Sequence, residues 1–164
     1  MKWRFLLWVV PLVVVARTSL AEDSLKFKEL GKGWSALAKQ ADPFDKSKLE
    51  FIQITKGAFT FRCGELNMAV GSPGYESLSF PATIKYKVDG DAPVEKPGRY
   101  STYLGGSELV TDDRYYSFKL SKAEVAALEA GASVKVAGNY SAGWETKELS
   151  LAGFAAAYSQ MCKK

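Results

Sequence analysis

Two cysteines, Cys63 and Cys162, and no histidine among 164 residues set the chemistry open to this chain. Without imidazole there is no Ser-His-Asp or Cys-His activation of a nucleophile, no His-ligated zinc, and no imidazole acid-base group. Carboxylates remain. They come as Asp42 with Asp45, Asp89 with Asp91, and Asp112 with Asp113. Facing acids can hydrolyse a glycoside or hold calcium. All three pairs sit in turn-like sequence, where Asp bonds nearby backbone amides, and none completes the spaced oxygen ligands of an EF-hand loop. The turn reading is preferred. Gly71-Ser72-Pro73-Gly74 and Gly105-Gly106-Ser107 are not followed by Gly-Lys-Ser/Thr, and Pro73 lacks an amide donor, so both are read as turns and not as phosphate cradles. No catalytic residue, cofactor or metal ligand set is expected.

Recognition chemistry is what is left. Arg99, Tyr100, Tyr103, Arg114 and Tyr115, with Tyr116 beside them, combine the residue types that anchor protein contacts when exposed and that also fill and edge small β cores. Core or edge packing is the preferred reading, and the first five are the candidate partner surface.

The elements that must position these groups follow from periodicity. Phe59, Phe61 and Cys63 alternate with Thr60 and Arg62, and Ile84, Tyr86 and Val88 with Lys85 and Lys87, as half-buried strands do. Residues 49–55, 66–70, 115–120, 133–140 and 144–151 are further strand candidates, separated by turn chemistry such as Asp89-Gly90-Asp91. The stretch from Asp89 to Gly98 reads as a loop. Ser121-Lys122-Ala123-Glu124 has the form of a capping box, and Val125, Leu128 and a stop at Gly131 complete a short helix. After Gly153, the residues Phe154, Ala157, Tyr158 and Met161 fall at helical spacing, with Cys162 two turns from Phe154. The expected fold is mainly β, an antiparallel β-sandwich or open barrel with a short inserted helix and a C-terminal helix clamped by a disulfide.

The N-terminus decides the compartment. Met1-Lys2-Trp3-Arg4, an apolar run from Phe5 to Val15, and Ser19-Leu20-Ala21 make the three parts of a secretory signal over residues 1–21. The apolar run is too short for the roughly 20 residues of a membrane span. Residues 22–164 then form a single β-rich domain with no membrane span after cleavage. With Lys2, Arg4 and Arg17 gone and no acid lost, the formal charge falls from +4 to +1. That leaves no basic stripe for nucleic acid. In an exported chain an even cysteine count predicts a Cys63–Cys162 disulfide; two buried free thiols or a redox pair are the alternatives, the latter without Cys-x-x-Cys spacing.

Gly33-Trp34, the run Asp42-Pro43-Phe44-Asp45-Lys46-Ser47, Phe61-Arg62-Cys63, Ile84-Lys85-Tyr86-Lys87-Val88-Asp89-Gly90 and Leu149-Ser150-Leu151-Ala152-Gly153-Phe154 leading to Cys162 follow one another in an order that resembles the periplasmic VasI/TagO-like proteins associated with type VI secretion. Lys87 stands where that pattern has Arg, and the region from Gly71 to Pro81 has no counterpart in it. The closing hairpin and helix also resemble the invasion-associated locus B proteins. The resemblance implies an exported β protein without an established catalytic centre, and it carries over no functional residue beyond the cysteine pair. Together these readings lead to the expectation of a non-enzymatic periplasmic accessory or binding protein with an envelope or secreted protein as partner. An inhibitor-type module acting on a lysozyme or another enzyme is the alternative, and a carboxylate-based glycan hydrolase comes third.

Overall fold

The computed structural model describes residues 25–42, 44–70, 78–102, 114–140 and 143–162. The signal at 1–21, both glycine turns, Tyr103, Asp112 and Asp113 lie outside them. In chain order the strands are β1 (Lys26–Gly31), β2 (Trp34–Asp42), β3 (Asp45–Lys56), β4 (Phe59–Arg62), β5 (Glu65–Ala69), β6 (Leu78–Val88), β7 (Val94–Thr102), β8 (Arg114–Lys119), β9 (Ser133–Asn139) and β10 (Trp144–Ser150). Two helices join them, α1 (Lys122–Ala130) between β8 and β9, and α2 (Phe154–Cys162) after β10.

All described strands pair antiparallel into one open sheet, ordered β1-β2-β3-β4-β5-β8-β7-β6-β9-β10. Strict alternation gives it one apolar face. Phe59, Phe61, Leu66, Met68, Tyr116, Phe118, Ile84, Tyr86, Val134 and Val136 are buried on that face, and among the described residues no polar or charged one joins them in the core. A single sheet this long must curl to cover its apolar side. It does so sharply: a Cβ built on Gly138 of β9 would overlap the Tyr116 ring of β8, although β7 and β6 stand between those strands in the sheet. Near the far edges, the Trp34 indole of β2 donates from Nε1 to the carbonyl of Ala152, just past β10, at 2.9 Å. The result is an open barrel.

The helices fill what the curl leaves uncovered. Phe154 of α2 lies with its ring centroid 4.7 Å from Phe61 and 5.5 Å from Trp34. Tyr158 of the same helix accepts the Gly64 amide at 2.9 Å. Cys63, one residue beyond β4, is bonded to Cys162 with the Cα atoms 5.6 Å apart, so the terminal helix is tied to the strand the sequence pointed to. The capping box of α1 is present in full.

Three features depart from the sequence reading. Pro97 and Gly98 put residues 94–98 in a loop by sequence, yet they belong to β7. Their partner is β6 alone, since pairing with β8 begins at Arg99, and proline is tolerated where a strand has a partner on only one side. β1 and β2 give no strand signal: beside Trp34, β2 buries Ala36 and Ala38, and alanine carries little β propensity, while β1 is almost wholly exposed. Gly131 ends α1 in extended backbone with φ −80°, not in the left-handed cap expected of a helix-stopping glycine. It is glycine for room, because a Cβ there would overlap a Val88 methyl.

The tight approach at Gly138 makes a prediction. Gly138→Ala must push the Tyr116 ring off β9, and overpacking of this kind costs about 1–3 kcal/mol. Urea denaturation of the variant should show that loss, and an unchanged midpoint would mean the ring has space the sheet does not reveal.

Candidate functional site

The acids are the first place to look for chemistry, and Asp42, Asp45 and Asp89 are occupied in building the fold. Asp42 accepts the Phe44 amide at 2.9 Å, and Asp45 accepts the Ser47 amide at 3.0 Å and its hydroxyl at 2.6 Å. These local bonds shape the β2–β3 turn and hold the Asp45 carboxyl below its ordinary range. Asp89 reaches across to the start of β9, taking the amides of Ala132 and Ser133, which likewise lower its pKa.

Glu124, singled out by sequence only as half of a capping box, is the most heavily engaged ionisable group described. Its Oε1 accepts the Tyr86 hydroxyl at 2.5 Å and Lys96 Nζ at 2.7 Å; its Oε2 accepts Lys96 at 2.8 Å and the Ser121 amide at 2.6 Å. The Glu124 side chain is 19% exposed and that of Lys96 20%. Burial alone would raise the Glu124 carboxyl, but the bonds from Lys96, Tyr86 and Ser121 outweigh it and hold the group down at about 2. Burial, then the Glu124 contact, pushes the Tyr86 phenol above its ordinary range. Lys96 also lies over the Phe118 and Tyr86 rings, 5.6 and 5.8 Å from their centroids. A carboxylate with its lone pairs taken and a phenol held neutral are poorly placed to move protons. This group clamps α1 to β6 and β7.

The candidate partner surface divides along the pleat. Neighbours in a strand face opposite ways, so Tyr100 and Arg114 turn to the apolar face while Arg99 and Tyr115 turn to the other. On the outer face Arg99 donates from Nε to Ser79 Oγ at 2.8 Å, and Ser79 pairs with Ser101. On the inner face Tyr100 meets Tyr116 and gathers two partners the sequence reading missed, Tyr140 and Phe80. Its ring stacks on Tyr140 at 4.7 Å and 8°, Tyr140 stacks on Phe80 at 4.7 Å, and Tyr116 meets Tyr100 at 5.1 Å. The three tyrosine rings, with Arg114, Gly143, Trp144 and Glu145, border a cleft of about 130 Å³ at the end of the barrel away from α1. Burial, then the nearby Glu145 and Tyr100, push Tyr116 up to about 12. The phase of Tyr140 with Val134, Val136 and Gly138 was the available signal for its place on the inner face.

A second, larger groove of about 1020 Å³ runs between β3 and the two helices, with Phe51, Val125, Tyr158, Met161 and the disulfide in its walls. Among the described residues no cluster of potential metal ligands occurs, and no helix is long and apolar enough to cross a membrane. No family model, curated protein or solved structure matches the chain.

Proposed function

We propose that this is an exported, non-enzymatic binding or accessory protein of the bacterial envelope. The disulfide carries the reading: it closes α2 onto the β4 end, and such bonds form and persist in oxidising compartments such as the periplasm. The secretory pattern at residues 1–21 supports the same location, and the engagement of Asp42, Asp45, Asp89 and Glu124 in holding turns and a helix supports a role without acid-base chemistry. The sequence resemblance to VasI/TagO-like proteins supports work beside a type VI secretion system as the particular setting. Periplasmic extracts of the producing bacterium should contain an oxidised chain beginning at Glu22, and capture on that chain should return envelope proteins above a control. A full-length cytosolic chain with free thiols would overturn the reading.

One observation favours the inhibitor reading. The β2–β3 hairpin ends in Phe44, 97% exposed, on a turn braced by Asp42 and Asp45, with Lys48 within 3.6 Å of Asp42 and 3.7 Å of Asp45. A rigid turn presenting an aromatic is a low-entropy anchor for a pocket on another protein. If the chain inhibits a lysozyme, Phe44→Ala should weaken inhibition by about tenfold or more while leaving the melting temperature unchanged, as truncated hot-spot aromatics do. An intact protein without effect on lysozyme would remove this reading.

A further inference from the structure

We propose that the cleft at the barrel end away from α1 binds a small zwitterion the size of a simple α-amino acid, with its carboxylate on Arg114 and its ammonium against Glu145. The inference does not rest on where the protein works.

Three observations carry it. First, the Nε of Arg114 is buried and has no hydrogen-bond partner, while Arg114 lines the cleft. A buried guanidinium donor without an acceptor is costly, and a carboxylate is the acceptor whose geometry suits it best. Second, Glu145 borders the same space, so opposite charges lie within the reach of one small molecule. Glu145 stands on the edge strand β10 opposite Gly138, on the inner face, and among the described residues it has no ion-pair partner. Third, the walls are the rings of Tyr100, Tyr116 and Tyr140, held in place by mutual stacking, so the cleft is pre-formed and its aromatic lining strengthens the attraction between opposite charges.

Size narrows the class. A space of 130 Å³ holds roughly four waters at about 30 Å³ each, which is the volume of about four to six non-hydrogen atoms. Glycine and alanine fall in that range. The position agrees with the habit of barrels, which take ligands at their mouths.

The test is a titration of the mature, disulfide-bonded protein followed by amide and indole NMR signals, with L-alanine, acetate and acetamide as probes. Alanine should move the Gly143 amide and the Trp144 indole saturably, acetate should do so more weakly, and acetamide, which has acetate's shape without its charge, should leave them in place. Arg114→Gln should weaken alanine and acetate by about tenfold or more, the usual worth of a charge-assisted bond. Glu145→Gln, a change on an exposed edge strand, should bring alanine down to the level of acetate and leave acetate itself unchanged. Absence of a saturable shift with alanine, an equal response to acetamide, or unaltered binding in Arg114→Gln would overturn the assignment. Acetate binding as tightly as alanine would overturn the role given to Glu145. The probe series on the unaltered protein decides the matter even if Arg114→Gln does not fold. Because the measurement is made on purified protein, its failure is distinguishable from a failure of the envelope reading.

Discussion

Replacing Cys63 and Cys162 together by serine should lower stability by about 3–5 kcal/mol, the value expected for opening a loop on the order of 100 residues. The bond joins residues 99 apart, so it restricts the unfolded chain from Cys63 onward, with β1 to β4 outside the loop. The folded state should change little, because α2 is held by other contacts. Phe154 is buried between Trp34 and Phe61, Tyr158 takes the Gly64 amide, and the Trp34 indole holds Ala152. The loss therefore belongs mainly to the unfolded chain, which gains freedom when the bond is absent. Urea denaturation should then show a lower midpoint together with a steeper dependence on denaturant, since an uncrosslinked chain exposes more surface. Reduction of the unaltered protein should reproduce the shift. Circular dichroism of both native forms should coincide. An equal midpoint with and without the bond would mean that α2 contributes its contacts with no help from the crosslink.

That bond was readable in the sequence because cysteines are few and export makes pairing the default. The barrel around it was readable only where large apolar residues alternate. Phe59, Phe61, Leu66 and Met68 announce β4 and β5, while the alanines of β2 bury as deeply as those phenylalanines and announce nothing. Pro97 and Gly98 show the opposite failure, being turn residues by composition and strand residues by their pairing with Thr83 and Ala82. The candidate site fared worse for a geometric reason. Arg99, Tyr100, Arg114 and Tyr115 are close along the chain, but the pleat sends them to two faces, and the ring that stacks on Tyr100 comes from Tyr140, forty residues on. Which face survives as a cleft depends on the curl of the sheet, and that is fixed by approaches such as Tyr116 on Gly138. Local sequence holds no trace of them until the strand order is known.

Glu124 shows how far a local motif can understate a residue. As half of a capping box it would contribute a modest share of helix stability, typically about 1 kcal/mol. Here it also neutralises Lys96 among the rings of Tyr86 and Phe118, so Glu124→Gln should remove about 2–3 kcal/mol at neutral pH. That is less than the 3–5 kcal/mol of breaking a fully buried pair, because both side chains keep some contact with water. The pH dependence identifies the cause. The folded carboxyl, at about 2, lies below its ordinary value of 4.5, so the stability it contributes is present above pH 4.5 and is lost as pH falls toward 2. Asp45 and Asp89, both lowered, add to the same acid loss in the intact protein, but they are unaltered in the variant and cancel in the comparison. The gap between the intact protein and Glu124→Gln, measured by urea denaturation at successive pH values, should hold steady from pH 7 to about 5 and narrow toward pH 2. Adding Lys96→Met should restore part of the loss, because the lysine left without its counter-charge is then removed. A gap that stays constant down to pH 2 would show that Glu124 acts through shape and capping alone, and the charge clamp between α1 and the sheet would have to be abandoned.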